Sequence, residues 1–555
     1  LIISEENKFW KFISRKKYLN KNQIDRDERL LKNYFLNRGY YDVIINASSA
    51  QYLDNDSFVL TFNIEAGNRY KINKTKLSLP IDYKKSNFIK IEKLLSELEN
   101  ETYSFRKISK IVDQIDKVSL LREYDFISAS INEEKIENNK INLTLEVMET
   151  EKFYVEKINI LGNDITLESV IRDSLEVDEG DPFNELLHAK SINNLKARNI
   201  FRSVTSEVLD GPDLNTKIVN INIEEKPTGE ITLAAGVGTE GGTMGFSVSE
   251  NNFMGRGVKL SAALRVNENS IKGNFTTYTP NYKYSGKDLS TNIQNSQINK
   301  MADNGYDSTK TGFSFGTSVE QYEDLLFSPT FSTYYERLTT NDSASASLKN
   351  QEGSYFDTGI GYSFVYDKRN QAWQTTEGYK STFTQRIPLI SENYTLLNGY
   401  EIEKYVDFDN DLITKFAFYG RAVNSMTGDD VRISERLNIP SKRLRGFVAR
   451  SIGPVDDNDY VGGNYAVALN FSSTLPMLLQ SVEQADLRFF VDAANVWGVD
   501  YSSTIDDSNK IRSSTGISVD WFTPIGPLNF TLAQAITKVS TDKTESFQFN
   551  LGTTF

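Results

Sequence analysis

The stretch GVKLSAALRVN, Gly257–Asn267, puts Val258, Leu260, Ala262, Leu264 and Val266 on one parity and Lys259, Ser261, Ala263, Arg265 and Asn267 on the other. Successive side chains of a strand point to opposite faces, so one face suits hydrocarbon and the other suits water. Similar alternation recurs in YKSTFTQRI (Tyr379–Ile387), FAFYGRAV (Phe416–Val423) and YAVALNF (Tyr465–Phe471), separated by turns or polar loops such as RVNENS and DNGYDSTKTG. A sheet with one lipid-facing side has no water to satisfy an open edge and must close into a barrel. Residues 228–555 accommodate roughly 16 antiparallel strands of about 10 residues with connections of similar length. FQFNLGTTF, Phe547–Phe555, is apolar on one parity and reads as the closing strand, with Phe555 expected at a membrane interface. A soluble two-sheet protein is the competing reading of such alternation.

Composition removes most other classes. Among 555 residues there is no cysteine and a single histidine, His188, so thiol chemistry, disulfides and histidine-rich metal sites are excluded. A net charge of -13 argues against nucleic acid as a partner. No run approaches the roughly 18 to 20 apolar residues of a spanning helix. No leader peptide opens the sequence, which leaves the compartment undecided. GVGTEGG, Gly236–Gly242, lacks the Lys-Ser/Thr of a phosphate loop and reads as strand and turn. DDND, Asp456–Asp459, reads as a solvated loop and His188 as structural. No Gly-x-Ser-x-Gly elbow occurs, so neither enzyme, metal nor cofactor is expected.

Before the barrel, one pattern occurs three times. LTFNIEAGNRY (Leu60–Tyr70), LTLEVMETEKF (Leu143–Phe153) and VNINIEEKPTG (Val219–Gly229) each alternate and then run into acids and a turn. Each follows a helix-to-strand passage: FLNRGYYDVIIN, LLREYDFISASIN and LKARNIFRSVTSEV. Leu31, Tyr34 and Phe35 form a helical stripe that Gly39 is placed to end; Ile108, Ile111, Val112 and Ile115 form another. Thr166 is placed to cap a helix of the third copy. The unit reads strand, two helices, two strands, giving a partial domain at 1–69, complete ones at 70–152 and 153–227, and the barrel at 228–555. The first copy lacks its opening strand, so the sequence is expected to begin inside a domain with others upstream.

With its RGYYDV (Arg38–Val43) and ILGN (Ile160–Asn163) signatures, the repeated unit resembles the POTRA domain of outer-membrane assembly proteins. In the barrel, RLRGF (Arg443–Phe447), SIGP, VGGNYAVALNF, LRFFVDAANVW and the ending GISVDWFTPIGPLNFTLAQAI…ESFQFNLGTTF follow in an order that resembles the BamA family of outer-membrane assembly factors. The fold expected is therefore α+β POTRA repeats followed by an all-β transmembrane barrel. The resemblance implies that Arg443, Arg445, Gly446 and Phe447 lie on a loop folded into the lumen. A guanidinium held there needs a carboxylate, and Asp492 is the candidate on an inward strand position. Relatives commonly carry a glutamate near ALNF, where this sequence has Asn470.

Function is read from the seam. Ala234, Ala235, Gly236 and Gly238 give the first strand little bulk, so Ile231, Leu233, Gly236 and Gly238 are expected to meet Phe547, Phe549, Leu551 and Phe555 weakly. An opened strand would accept a client strand by β-augmentation and template its insertion without a nucleotide. The resemblance implies POTRA units in the periplasm and, as partners, accessory lipoproteins, unfolded outer-membrane clients, periplasmic chaperones and outer-membrane lipid. Glu179 in DEGDPF, with Arg172, is the candidate lipoprotein contact, although such an acidic turn also serves solubility. The alternatives are a translocation and assembly module protein, a two-partner secretion transporter and a passive porin.

Overall fold

A computed structural model describes residues 21–551 apart from 54–56, 123–126, 150–152, 240, 323, 373–374, 409–411, 429, 476–484, 508 and 524–525. The chain divides into two compact units between Lys226 and Pro227.

In the N-terminal unit, the helix Lys21–Leu36 is followed by Gly39 at a φ of 92° and by the hairpin Ile44–Leu53 with Ser57–Glu65. The next module runs through strand Lys71–Ser78, helices Ile89–Glu97 and Phe105–Arg122, and strands Ile127–Ile136 and Lys140–Glu149. Its third strand lies between the others, parallel to the first and antiparallel to the second. Ile108, Ile111 and Ile115 of the helical stripe pack on Ile72, Phe88, Ile141 and Leu145, all buried. Each such side chain contributes about 1.5–3 kcal/mol on burial. The last module repeats the same order with Tyr154–Leu161, Glu168–Arg172, Glu185–Ala197, Phe201–Asp210 and Thr216–Glu225.

One local expectation fails in that module. The helix Glu168–Arg172 begins at Leu167 with no side-chain cap, and Thr166 does not serve it. Instead the Glu225 carboxylate accepts the backbone N–H groups of Ile165 and Thr166 at 2.8 and 2.7 Å. The Thr166 hydroxyl also bonds that carboxylate, which the final strand of the sheet brings in, and is thereby drawn away from the helix.

The C-terminal unit is a closed barrel of 16 antiparallel strands among the described residues, from Gly229–Gly238 to Phe547–Leu551. Leu233, Phe246 and Leu264 stand opposite one another on three neighbouring strands and are 78, 46 and 46 % exposed. Such an outer apolar row is the lipid face that the alternation predicts.

The parity of the first strand corrects the expected origin of its weakness. Ile231, Leu233 and Val237 face outward and are exposed, so the lipid face keeps its bulk there. Gly236 and Gly238 fall on the opposite, lumenal parity.

Candidate functional site: a tethered lumen loop and a short seam

Between the eleventh strand, Leu412–Ser425, and the twelfth, Tyr465–Thr474, the chain forms a long loop that carries the Arg-Gly-Phe motif. Asp492 lies on the thirteenth strand, Ala485–Trp497, opposite Asn470 of the twelfth. Its side chain is fully buried and is met by the Arg445 Nε at 2.8 Å, the Arg445 Nη2 at 2.8 Å and the Arg445 backbone N–H at 3.1 Å. A buried carboxylate is stabilising only when its oxygens are this completely satisfied. The guanidinium also lies 3.5 Å from the Phe490 ring centre.

Asn470 supplies a fourth donor. Its Nδ2 gives hydrogen bonds to Asp492 Oδ1 and to the Arg443 carbonyl, both at 2.8 Å. A carboxylate at that position would repel Asp492, whereas the amide donates to it. Gly446 turns the motif with a φ of 86°, and a Cβ there would sit 2.9 Å from the Ala533 Cβ. Both the left-handed backbone and the close wall call for glycine. Phe447 is buried with Leu444, Ile452 and Ala468.

Three further arginines tether the same loop, and the sequence reading missed two of them. Arg432 reaches Asp357 at 2.5 Å and Glu336 at 3.4 Å on two other strands and lies 4.2 Å from the Tyr355 ring centre. Arg436 pairs with Asp500 and donates to Asn464 at 3.0 Å. Arg443 reaches Glu401 at 3.1 Å and Glu403 at 3.4 Å. The only signal was the crowding of arginines between Arg432 and Arg445; their acids are scattered through the chain. Asp456–Asp459 also departs from the solvated-loop reading. Val455–Asp456 pairs with Asp459–Tyr460, and Asp456 accepts from Ser345 at 2.5 Å and Tyr501 at 2.9 Å. Burial, with Asp456 and Asp457 close by, pushes the Asp459 carboxyl above its ordinary value.

The second feature is the junction of the last and first strands. Among the described residues Asn550 stands opposite Gly238 and Leu551 opposite Val237, and the Thr239 N–H adds a bond to the Phe549 carbonyl at 3.1 Å. A Cβ on Gly238 would fall 2.3 Å from Asn550 Oδ1 and 2.7 Å from the Phe549 carbonyl oxygen, so glycine permits the approach. Ile231, Leu233 and Gly236 pair with the second strand on their other side and meet neither Phe547 nor Phe549. Phe555 lies outside the described residues.

A family model described as the Omp85 superfamily domain matches residues 252–555, more than half of the 555 residues. The chain belongs to the Omp85 superfamily. A POTRA model, described as a surface antigen variable number repeat, matches residues 7–67 and 153–226 of this Omp85 protein. It is 23 % identical to the outer membrane protein assembly factor BamA of Neorickettsia risticii, over all of this chain and 75 % of that one. The BamA of Neisseria meningitidis serogroup B is 22 % identical, over 99 % of this chain and 75 % of its own. Among solved structures, BamA from Haemophilus ducreyi lacking POTRA domains 1–3 shares the fold with a TM-score of 0.65 and 22 % identity, covering 87 % of this chain and 100 % of that one. This Omp85 protein is a barrel of the outer membrane with its POTRA modules in the periplasm.

In the last POTRA module Arg172 and Glu179 lie together at 3.6 Å, both partly exposed. Arg172 also pairs with Glu168 at 2.7 Å and donates to the Ile158 carbonyl, while Glu179 accepts the Ile158 N–H at 3.0 Å. The two residues therefore hold a helix and a turn against the first strand of the module. His188 bonds Ser206 Oγ at 2.9 Å, and no metal-ligand cluster occurs among the described residues.

Proposed function

We propose that this chain is an outer membrane protein assembly factor that folds and inserts β-barrel proteins by templating them on its own seam. The observation that carries the reading is the similarity over the whole chain to the BamA assembly factors, joined to a junction of last and first strands whose close approach Gly238 permits. A first strand released from that junction presents a row of backbone donors and acceptors along its edge. In a bilayer such groups are costly to leave unpaired, and an incoming strand satisfies them by β-augmentation. Client folding then supplies the driving force. The curated relatives are assembly factors rather than enzymes, in keeping with this account.

The lumen loop acts as an internal brace while the seam is open, its arginines holding strands from several parts of the barrel. The POTRA modules receive unfolded clients and periplasmic chaperones, and the Arg172–Glu179 corner is the contact for an accessory lipoprotein. The test is reconstitution in liposomes with unfolded barrel clients, scored by protease protection. Acceleration of insertion supports the reading; export of a soluble partner without insertion of any barrel client refutes it.

A further inference from the structure

The fifteenth strand, Gly526–Thr537, pairs with the fourteenth, Arg512–Thr523, along its length, but among the described residues it pairs with the closing strand through Leu528–Leu532 and not through Ala533–Thr537. The chain therefore does not return from Thr537 as a tight hairpin. Residues 538–546 turn aside and are held from two directions. Asp542 closes a turn by accepting the Val539 N–H at 2.6 Å, and its own N–H bonds the Val539 carbonyl at 3.0 Å. The same carboxylate takes a two-pronged contact from Arg512, Nε to Oδ2 at 3.0 Å and Nη2 to Oδ1 at 3.1 Å. Asp542 and Arg512 are 0 and 4 % exposed, and the third arm of the guanidinium is spent on Asn495 at 2.5 Å and the Lys510 carbonyl at 2.8 Å.

From the other side, the Arg-Gly-Phe loop pairs with the next residues. Val448 N–H donates to the Lys543 carbonyl at 3.0 Å, Lys543 N–H to Ser451 at 3.1 Å and Glu545 N–H to Gly446 at 3.1 Å. Gln548, already within the closing strand, donates to the Phe447 carbonyl at 3.3 Å.

We propose that Arg512 and Asp542 are positioning residues that set the register of the closing strand, and with it which residues form the seam. Alternation of faces along the seam does not by itself choose a register. A slip of two residues preserves the alternation of faces, so the lipid and lumen parities do not oppose it. The buried ion pair opposes it, because a slip carries Asp542 away from Arg512 and leaves two charges unpaired in the interior. This inference rests on the seam reading for its functional meaning, but the register is measurable without any client.

The absence of native cysteine makes the test direct. V237C is combined in turn with L551C, F549C and T553C in the full chain in membranes, and disulfide yields are compared with and without R512Q or D542N. The original barrel is expected to favour the 237–551 pair; each variant is expected to lower that preference about tenfold in favour of 549 or 553. R432Q, which breaks a buried anchor of the Arg-Gly-Phe loop remote from Asp542, is expected to lower heat stability and leave the 237–551 preference unchanged. An unchanged preference in both R512Q and D542N overturns the proposal, whatever their heat stability. If R512Q does not accumulate, R512K, which keeps the charge but loses the two-pronged contact, is read in the same way. Client insertion is scored separately, so loss of the assembly reading would leave the register result standing.

Discussion

The pairing of the sixth and seventh strands runs from Tyr306 opposite Thr340 to Tyr322 opposite Leu325, whereas among the described residues the last and first strands meet at Val237 and Gly238. Both junctions belong to one barrel and carry apolar residues outward. What separates them in the proposed function is that only the second opens. A net hydrogen bond contributes about 0.5–1.5 kcal/mol in water, and leaving its partners unmade in hydrocarbon costs several times more. Opening a long ladder is therefore costly, and in the proposed function an incoming strand offsets that cost at the seam.

The sharpest way to break the contrast is to remove the replaceable junction. A V237C/L551C disulfide is expected to reduce client insertion in liposomes about tenfold or more, with recovery on reduction, because no edge is left for β-augmentation. The corresponding S314C/S332C lock on the long ladder is expected to leave insertion near its original rate. Full activity of the locked seam would end the templating account.

Next in size is the loop anchor. Arg445→Ala leaves Asp492 charged and buried, a loss of about 3–5 kcal/mol, read as a lower temperature for heat-induced unfolding of the barrel in detergent. Asn470→Ala removes two donors but no charge and is expected to cost about 1–2 kcal/mol. Reversal of that order would mean that Asp492 is not held as a charged group.

Gly238→Ala probes the seam more gently. The added Cβ meets the Phe549 carbonyl as well as Asn550 Oδ1, so the strands must part. Crowding of this kind costs about 1–3 kcal/mol, and the 237–551 disulfide yield should fall while heat stability of the long-ladder strands is retained.

The smallest effect lies in the POTRA unit. Asp42 accepts from Lys135 of the following module and from Tyr70 Oη at 2.6 Å, and the Lys135 hydrogen bond, aided by Tyr70, holds its carboxyl below the ordinary carboxylate value. Its contribution is present above the unfolded-state value and is lost as pH falls through the depressed folded-state value. Acid titration of the POTRA unit, followed by tyrosine fluorescence, should show loosening below the usual carboxylate range. Asp42→Asn should flatten that part of the curve.

The sequence revealed the barrel because each strand repeats the same two-residue alternation, and the anchor because Arg445 and Asp492 sit in recognisable motifs. It did not reveal Arg432 and Arg436, whose partners arrive through the closed sheet and leave no local spacing. Thr166 was misread for a related reason: the competing Glu225 comes from a strand that only the folded module brings near. The seam register was equally hidden, since alternation allows every two-residue shift and only the diverted segment before Phe547 discriminates among them.

That diverted segment also dictates an order of events. Phe447 and Gln548 are 101 positions apart along the chain, yet they are hydrogen-bonded in the finished barrel. The loop precedes in the chain the strand on which part of its ladder depends, and it cannot complete its seat until residues 543–548 are in place. Seating the loop and closing the barrel are thus one late, long-range step, and a chain stalled before that step carries both an unfilled lumen and an open edge.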